Sequence, residues 1–234
     1  VLHLDLKPAN IIIRDSGEIC LIDFGLSRHE QLPDLLEEQF HAPTGTAEYI
    51  SPEQLLNVRA ERRSDIFAVG AIMYEMLTGM PPYPPGTLKK ARQRFWKPPD
   101  PPRTLRADIP PWLQEVVLAC LEAVPTDRPK SASELQFELT HPELVVVGER
   151  GNRVARSGFT ENLSRRMKAG RMRTAAIAAA TAEPPRPPLI VVAVDLRPHL
   201  EALRDHLLDA AASALANAPG ARLGCIHVLE TSLV

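Results

Sequence analysis

The sequence predicts a mixed fold: a mainly α-helical unit with a short β-hairpin over residues 1–141, a basic and Pro/Ala-rich linker over 142–188, and part of an α/β unit over 189–234. Three observations carry this expectation. Two short apolar runs flank the turn residues Asp15-Ser16-Gly17, which is a hairpin pattern. Apolar residues then recur at helical spacing through "SDIFAVGAIMYEMLTG", "PPWLQEVVLACLEAV" and "SASELQFELT". Near the C-terminal end, the apolar run in "PLIVVAVDLRP" precedes an amphipathic stretch, "HLEALRDHLLDAAASALANAPGA", and a second apolar run in "RLGCIHVLE". That order reads as β-α-β, and two parallel strands require such a crossover.

Taken in order, "NIIIRDSGEICLIDFG" supplies the hairpin. The segment "SDIFAVGAIMYEMLTG" opens on Ser64 and Asp65 as helix-start signals, is apolar on nearly every face, and stops at Gly79. A helix apolar all round belongs in the middle of a domain. The 23 prolines, about twice the usual share, gather in "MPPYPPG", "KPPDPPR", "IPPW" and "EPPRPP". The first three punctuate the helical region and the last reads as linker. Within that linker Arg165, Arg166, Lys168, Arg171 and Arg173 form a basic cluster. No aromatic residue interleaves these charges to stack on bases, so they read as a solvated helix face rather than a nucleic-acid site.

Composition excludes several classes. A chain of 234 residues, 44% hydrophobic and 24% charged, with a formal charge of -2, is globular and has no overall attraction for nucleic acid or anionic membrane. Its longest apolar stretches, near 66–77 and 175–182, fall short of the roughly 20 residues that span a bilayer. Cys20, Cys120 and Cys225 lie far apart and outside any metal-ligand spacing, which fits structural thiols in a reducing, cytoplasmic compartment. There is no initiator Met, and the first residues are patterned as strand and loop rather than as a leader, so the chain is expected to be a piece of a longer protein.

The chemistry gathers in the first fifty-odd residues. "HLDLKPAN" matches the pattern His-Arg-Asp-Leu-x-x-x-Asn except at Leu4, "DFG" follows as Asp23-Phe24-Gly25, and "GTAEYISPE" and "PTDRP" come later in the same order. A single motif of this kind would read as an ordinary polar loop; the ordered set resembles the eukaryotic-like serine/threonine protein kinases of bacteria, and specifically their C-terminal lobe, over residues 1–141. The resemblance implies transfer of the ATP γ-phosphoryl group to protein Ser or Thr hydroxyls with Mg2+. It implies Asp5 as the base, Lys7 as the cation on the transferring group, and Asn10 and Asp23 as metal ligands. Gly25 supplies backbone freedom beside them, and Thr46 bridges toward Asp5 and Lys7. It makes His3, Glu53, Asp65 and Arg128 structural supports, with Glu53 paired to Arg128 and Asp65 bonded to the catalytic-loop backbone.

The departures carry expectations too. Leu4 replaces an Arg that pairs with an activation-loop phosphate in many family members, so phosphate on Thr44 or Thr46 would find no local cation there. Ser51 stands where Ala is usual. Nothing in the sequence resembles the family's glycine-rich loop, strand lysine, helix glutamate or hinge, so these residues by themselves are expected to be inactive. A pseudokinase or nucleotide- and stress-sensing module is the alternative reading. Residues 189–234 resemble the N-terminal part of a universal stress protein domain, which is Rossmann-like; that likeness implies a second nucleotide site near Asp195 and a homodimer through this unit, although an Asp there also suits a helix cap.

Overall fold

A computed structural model describes residues 1–28, 45–59, 61–83, 91–155, 189–194, 201–217 and 222–227. The described residues up to 155 belong to one compact unit and those from 189 onward to a second. The basic cluster at 165–173, Thr44 and Asp195 lie outside the described residues.

In the first unit, β1 (Ile11–Ile13) and β2 (Ile19–Leu21) pair antiparallel, with Ile12 opposite Cys20. Gly17 has φ 80°, a left-handed turn conformation that costs glycine little. The hairpin leaves much of its apolar surface open: Ile12 is 46% exposed, Ile13 70% and Ile19 64%.

Helix α1 (Arg63–Thr78) runs through the middle of the unit and ends at Gly79, which takes φ 75° and donates its N–H to the Glu75 carbonyl. Its start differs from expectation. The preceding residue, Arg62, makes no side-chain cap, and neither Ser64 nor Asp65 caps the helix. Ser64 donates its hydroxyl to Glu53, and Asp65 accepts the N–H groups of His3 and Leu4 on its two carboxylate oxygens, so long-range partners have claimed the local capping groups.

Two further short helices, α2 (Pro102–Leu105) and α3 (Pro111–Cys120), follow, each with proline in its first turn. Helix α4 (Ala132–Thr140) begins at Ser131, whose Oγ accepts from the Glu134 N–H at 3.1 Å. The core lies between α1, α3 and α4. Phe67, Ala71, Tyr74, Val117 and Leu121 form one cluster, and Ile66, Val116, Cys120 and Leu135 another. At Gly70 the helices are so close that an added Cβ would meet Cys120 Cβ at 2.5 Å. Burial, helped by the Glu138 charge, pushes the Cys120 thiol up to about 12, which suits an inert core sulfur.

The stretch from 142, expected as linker, opens with packed residues. Pro142–Leu144 makes a 3₁₀ turn and Glu149–Asn152 a helical turn, α5, against α3. Fully buried Gln114 donates Nε2 to the carbonyls of Arg150, Gly151 and Arg153, while Glu115 Oε2 accepts the N–H groups of Gly148 and Gly151. Glu115 Oε1 takes Arg150 Nε at 2.8 Å. Packing of this unit therefore continues beyond 141, through the backbone of Arg153. A Cβ on Gly151 would stand 2.6 Å from the Pro111 carbonyl oxygen and 2.6 Å from Val147 Cγ1. Gly151→Val is expected to cost about 1–3 kcal/mol through overpacking, read as a lower urea midpoint for the first unit.

In the second unit, β3 (Leu189–Val194) and β4 (Arg222–His227) pair parallel, with Val192 opposite Cys225, and α6 (Glu201–Asn217) connects them. The β-α-β order is as the sequence predicts. No helix among the described residues is long and apolar enough to cross a membrane.

Candidate active site

The site is built from residues 1–10 outward. Leu2 and Arg28 exchange backbone hydrogen bonds of 2.8 Å in both directions, and His3 Nε2 meets the Ile22 carbonyl at 3.1 Å. These contacts bring the segment after β2 alongside the segment before β1. His3 also packs on Phe24, with ring centroids 4.8 Å apart.

Asp65, in the first turn of α1, accepts the His3 N–H at 2.7 Å and the Leu4 N–H at 2.8 Å. Burial outweighs these bonds, so its carboxyl sits above the ordinary range. Leu4 takes φ 64°, a left-handed conformation that a branched residue adopts at a cost of about 1–2 kcal/mol. Its side chain is buried, and with Leu6, Tyr49, Ile50 and Ala68 it lines a small cavity beside Asp5.

Three groups converge on the Asp5 carboxylate. Lys7 Nζ lies 2.7 Å from Oδ2, and Asn10 Nδ2 donates to Oδ2 at 3.3 Å and to the Asp5 carbonyl at 2.9 Å. Thr46 donates both its N–H and its Oγ1 hydroxyl to Oδ1, each at 3.2 Å. Thus Asp5, Lys7, Asn10 and Thr46 form one connected set. Its members are buried or half-buried, so their interactions are screened less than at an open surface.

Asp23 stands just past β2 with φ 62°, its side chain exposed and Oδ1 accepting the Gly25 N–H at 3.3 Å. The donor types fit Mg2+: Asn10 turns its amide nitrogen toward Asp5, so its Oδ1 would be the atom to meet a cation, and Asp23 would add a carboxylate oxygen. Among the described residues no group of three or more His, Cys, Asp or Glu side chains gathers as a metal cage. Mg2+ held through one or two protein oxygens plus phosphate needs none.

The end of the segment that carries Thr46 is anchored to the helices. Arg128 makes a bidentate pair with Glu53, at 2.6 Å from Oε1 and 2.8 Å from Oε2, and also donates to the carbonyls of Arg63 and Glu122. Burial alone would raise the Glu53 carboxyl, but the Arg128 charge and the hydrogen bonds from Arg128 and Ser64 bring it below the ordinary range.

Two further anchors carry no motif signal. Arg94, 2% exposed, donates to the carbonyls of Ile50 and Ala47 and lies 4.5 Å over the Tyr83 ring. Burial brings its guanidinium down to about 10. In "KKARQRFWK" this residue reads as one solvated charge among several. Gln54, 6% exposed, follows "SPE" directly and spans from Ser51 to the Leu4 carbonyl.

Comparison with known proteins agrees with the motifs. The profile of the family described as protein kinase domain matches residues 1–139. The chain is 38% identical over 144 residues to the probable serine/threonine-protein kinase PknB of Corynebacterium glutamicum, covering 59% of this chain and 22% of that protein. It is 36% identical over 140 residues to the serine/threonine-protein kinase PknB of Mycolicibacterium smegmatis and 34% over 140 to that of Mycobacterium tuberculosis, with 59% of this chain and 22% of each relative covered. The matched region is thus about a fifth of each relative.

Proposed function

The chain belongs to the protein kinase domain family, and on that premise we propose that the whole protein is a serine/threonine kinase that transfers the ATP γ-phosphoryl group to protein hydroxyls. The observation that carries this reading is the convergence of Lys7, Asn10 and Thr46 on the Asp5 carboxylate. In this reading Asp5 orients the substrate hydroxyl and takes its proton. The oxygen forms its bond to the γ-phosphorus as the bond to the β-phosphate oxygen breaks. Lys7 meets the charge on the transferring group, and Thr46 holds Asp5 in place. Asn10 and Asp23 would hold Mg2+, which neutralises phosphate charge when bound.

The exposed apolar face of the hairpin, with Phe24 50% exposed beside it, suits a surface that adenine and a second lobe would cover. Accordingly, residues 1–234 taken alone are read as the catalytic-loop half of the site and as inactive without the other half. Leu4 makes the loop one that lacks the usual phosphate-pairing Arg. The parallel β3-α6-β4 arrangement supports reading 189–234 as part of a universal-stress-like domain. Nucleotide binding near Asp195 and pairing of two copies through that unit belong to the same proposal.

The test is transfer of labelled γ-phosphate by the full-length protein to a Ser/Thr substrate. Transfer is expected in wild type and is expected to fall about a hundredfold in Lys7→Ala. A full-length protein that binds ATP without transferring phosphate would move the reading to a sensing module.

A further inference from the structure

Gln54 joins two segments that the family reading treats separately. Its Oε1 accepts the Ser51 N–H at 3.1 Å and the Ser51 hydroxyl at 3.0 Å, and its Nε2 donates to the Leu4 carbonyl at 2.7 Å. Ser51 is fully buried and Gln54 nearly so. One amide therefore satisfies polar groups on both the loop of Asp5 and the segment of Thr46, inside an apolar surround where leaving them open would be costly.

The position it holds is demanding. Leu4 takes a left-handed backbone, with its N–H on Asp65 and its carbonyl on Gln54. Both peptide groups flanking that residue are thus fixed by side chains from elsewhere. On the other side, Arg94 takes the Ala47 and Ile50 carbonyls, so the chain from 47 to 51 is gripped at both ends. These contacts are made by the chain's own side-chain and main-chain groups, and Leu4 offers no guanidinium to receive a phosphate.

We propose that Gln54 is a positioning residue that couples the catalytic loop to the Thr46 segment without phosphorylation, so that the site is ordered in the unmodified protein. The claim rests on the kinase reading for its rate consequence, but the coupling itself is a property of the fold. A core glutamine that merely fills space would give local loosening around residues 51–55 when replaced. A coupling residue loosens both segments together.

The experiment uses the full-length protein as wild type, Gln54→Met and Ser51→Ala, with Ser131→Ala as a control that loses a distant helix cap. Amide hydrogen exchange is expected to speed up in Gln54→Met over both residues 1–7 and 46–53, with a smaller rise in Ser51→Ala and none in the control. The turnover rate is expected to fall about tenfold in Gln54→Met with the KM for ATP little changed, since misplacement at the site costs rate rather than nucleotide affinity. Wild type stripped by a phosphatase, with phosphate removal checked by mass, is expected to keep its rate.

Exchange confined to 51–55 in both variants overturns the proposal, as does loss of wild-type rate on dephosphorylation or an unchanged rate in Gln54→Met. Should Gln54→Met not fold, Ser51→Ala carries the same comparison, because it removes one donor to the bridge and leaves the Leu4 bond. A wild type without transfer activity but with coupled exchange in the variants removes the kinase reading and leaves the coupling standing.

Discussion

Asp5→Asn in the full-length protein is expected to lower the phosphoryl-transfer rate by about 10²–10⁴-fold, the range for losing a positioned general base. The two side chains have nearly the same shape, so the fall would come from charge and hydrogen-bond sense. As Asp5 stands, Oδ1 accepts two hydrogen bonds from Thr46 while Oδ2 faces Lys7 and Asn10. An amide has one accepting end. If that end stays on Thr46, an NH2 group faces the Lys7 ammonium and the Asn10 NH2, donor against donor. The proton acceptor is lost at the same time. Steady-state rates at saturating ATP check this, and equal rates in the two proteins would take Asp5 out of the mechanism.

Arg128→Ala is expected to destabilise the first unit by about 3–5 kcal/mol, because removing one member of a buried pair strands the other. Both side chains are almost wholly out of solvent, Arg128 at 0% and Glu53 at 5%. The carbonyls of Glu122 and Arg63 lose a donor as well, and Phe67 loses the cation 5.0 Å above its ring. Urea unfolding of the intact chain followed on the first unit measures the loss.

The same pair sets a pH dependence. Glu53 is held below its unfolded value of 4.5, so its contribution is complete above that pH and drains away as the pH falls through the lower folded value. Asp65 has the opposite sign. Its folded value lies above the unfolded 3.8, so protonation as pH falls through the raised value favours the folded state, and Asp65 adds nothing to the acid loss. Replacing Glu53 and Arg128 together by Met should therefore flatten the acid side of the stability curve. An unchanged slope would show that other carboxylates set it.

The parts of the molecule that the sequence made legible are those whose signal is local or whose spacing is distinctive. The hairpin turn at Asp15-Ser16-Gly17 and the end of α1 at Gly79 needed only the left-handed preference of glycine. The resemblance brought Glu53 and Arg128 together across 75 residues, and they are in contact. Helix α1 shows where local signals fail: Ser64 and Asp65 looked like caps, but their oxygens are worth more to buried partners than to the helix end. Arg94 and Gln54 were illegible for a related reason. Arg94 holds two main-chain carbonyls, and Gln54 holds a main-chain carbonyl, a main-chain N–H and the Ser51 hydroxyl; main-chain groups leave no trace in the sequence. Residues 142–155 were hidden likewise, since Gln114 and Glu115 grip mainly the backbone of that stretch.

Asp23 carries a consequence for anyone improving this protein. It is an exposed, non-glycine residue in a left-handed conformation. Glycine there would relieve strain on the order of 1 kcal/mol while giving up no buried contact. A selection for robustness alone would therefore drift toward Asp23→Gly and collect a sturdier protein without the carboxylate. With Asp23 in its proposed role of holding Mg2+, the two pull in opposite directions at this position, so screens on this chain need an activity readout alongside stability.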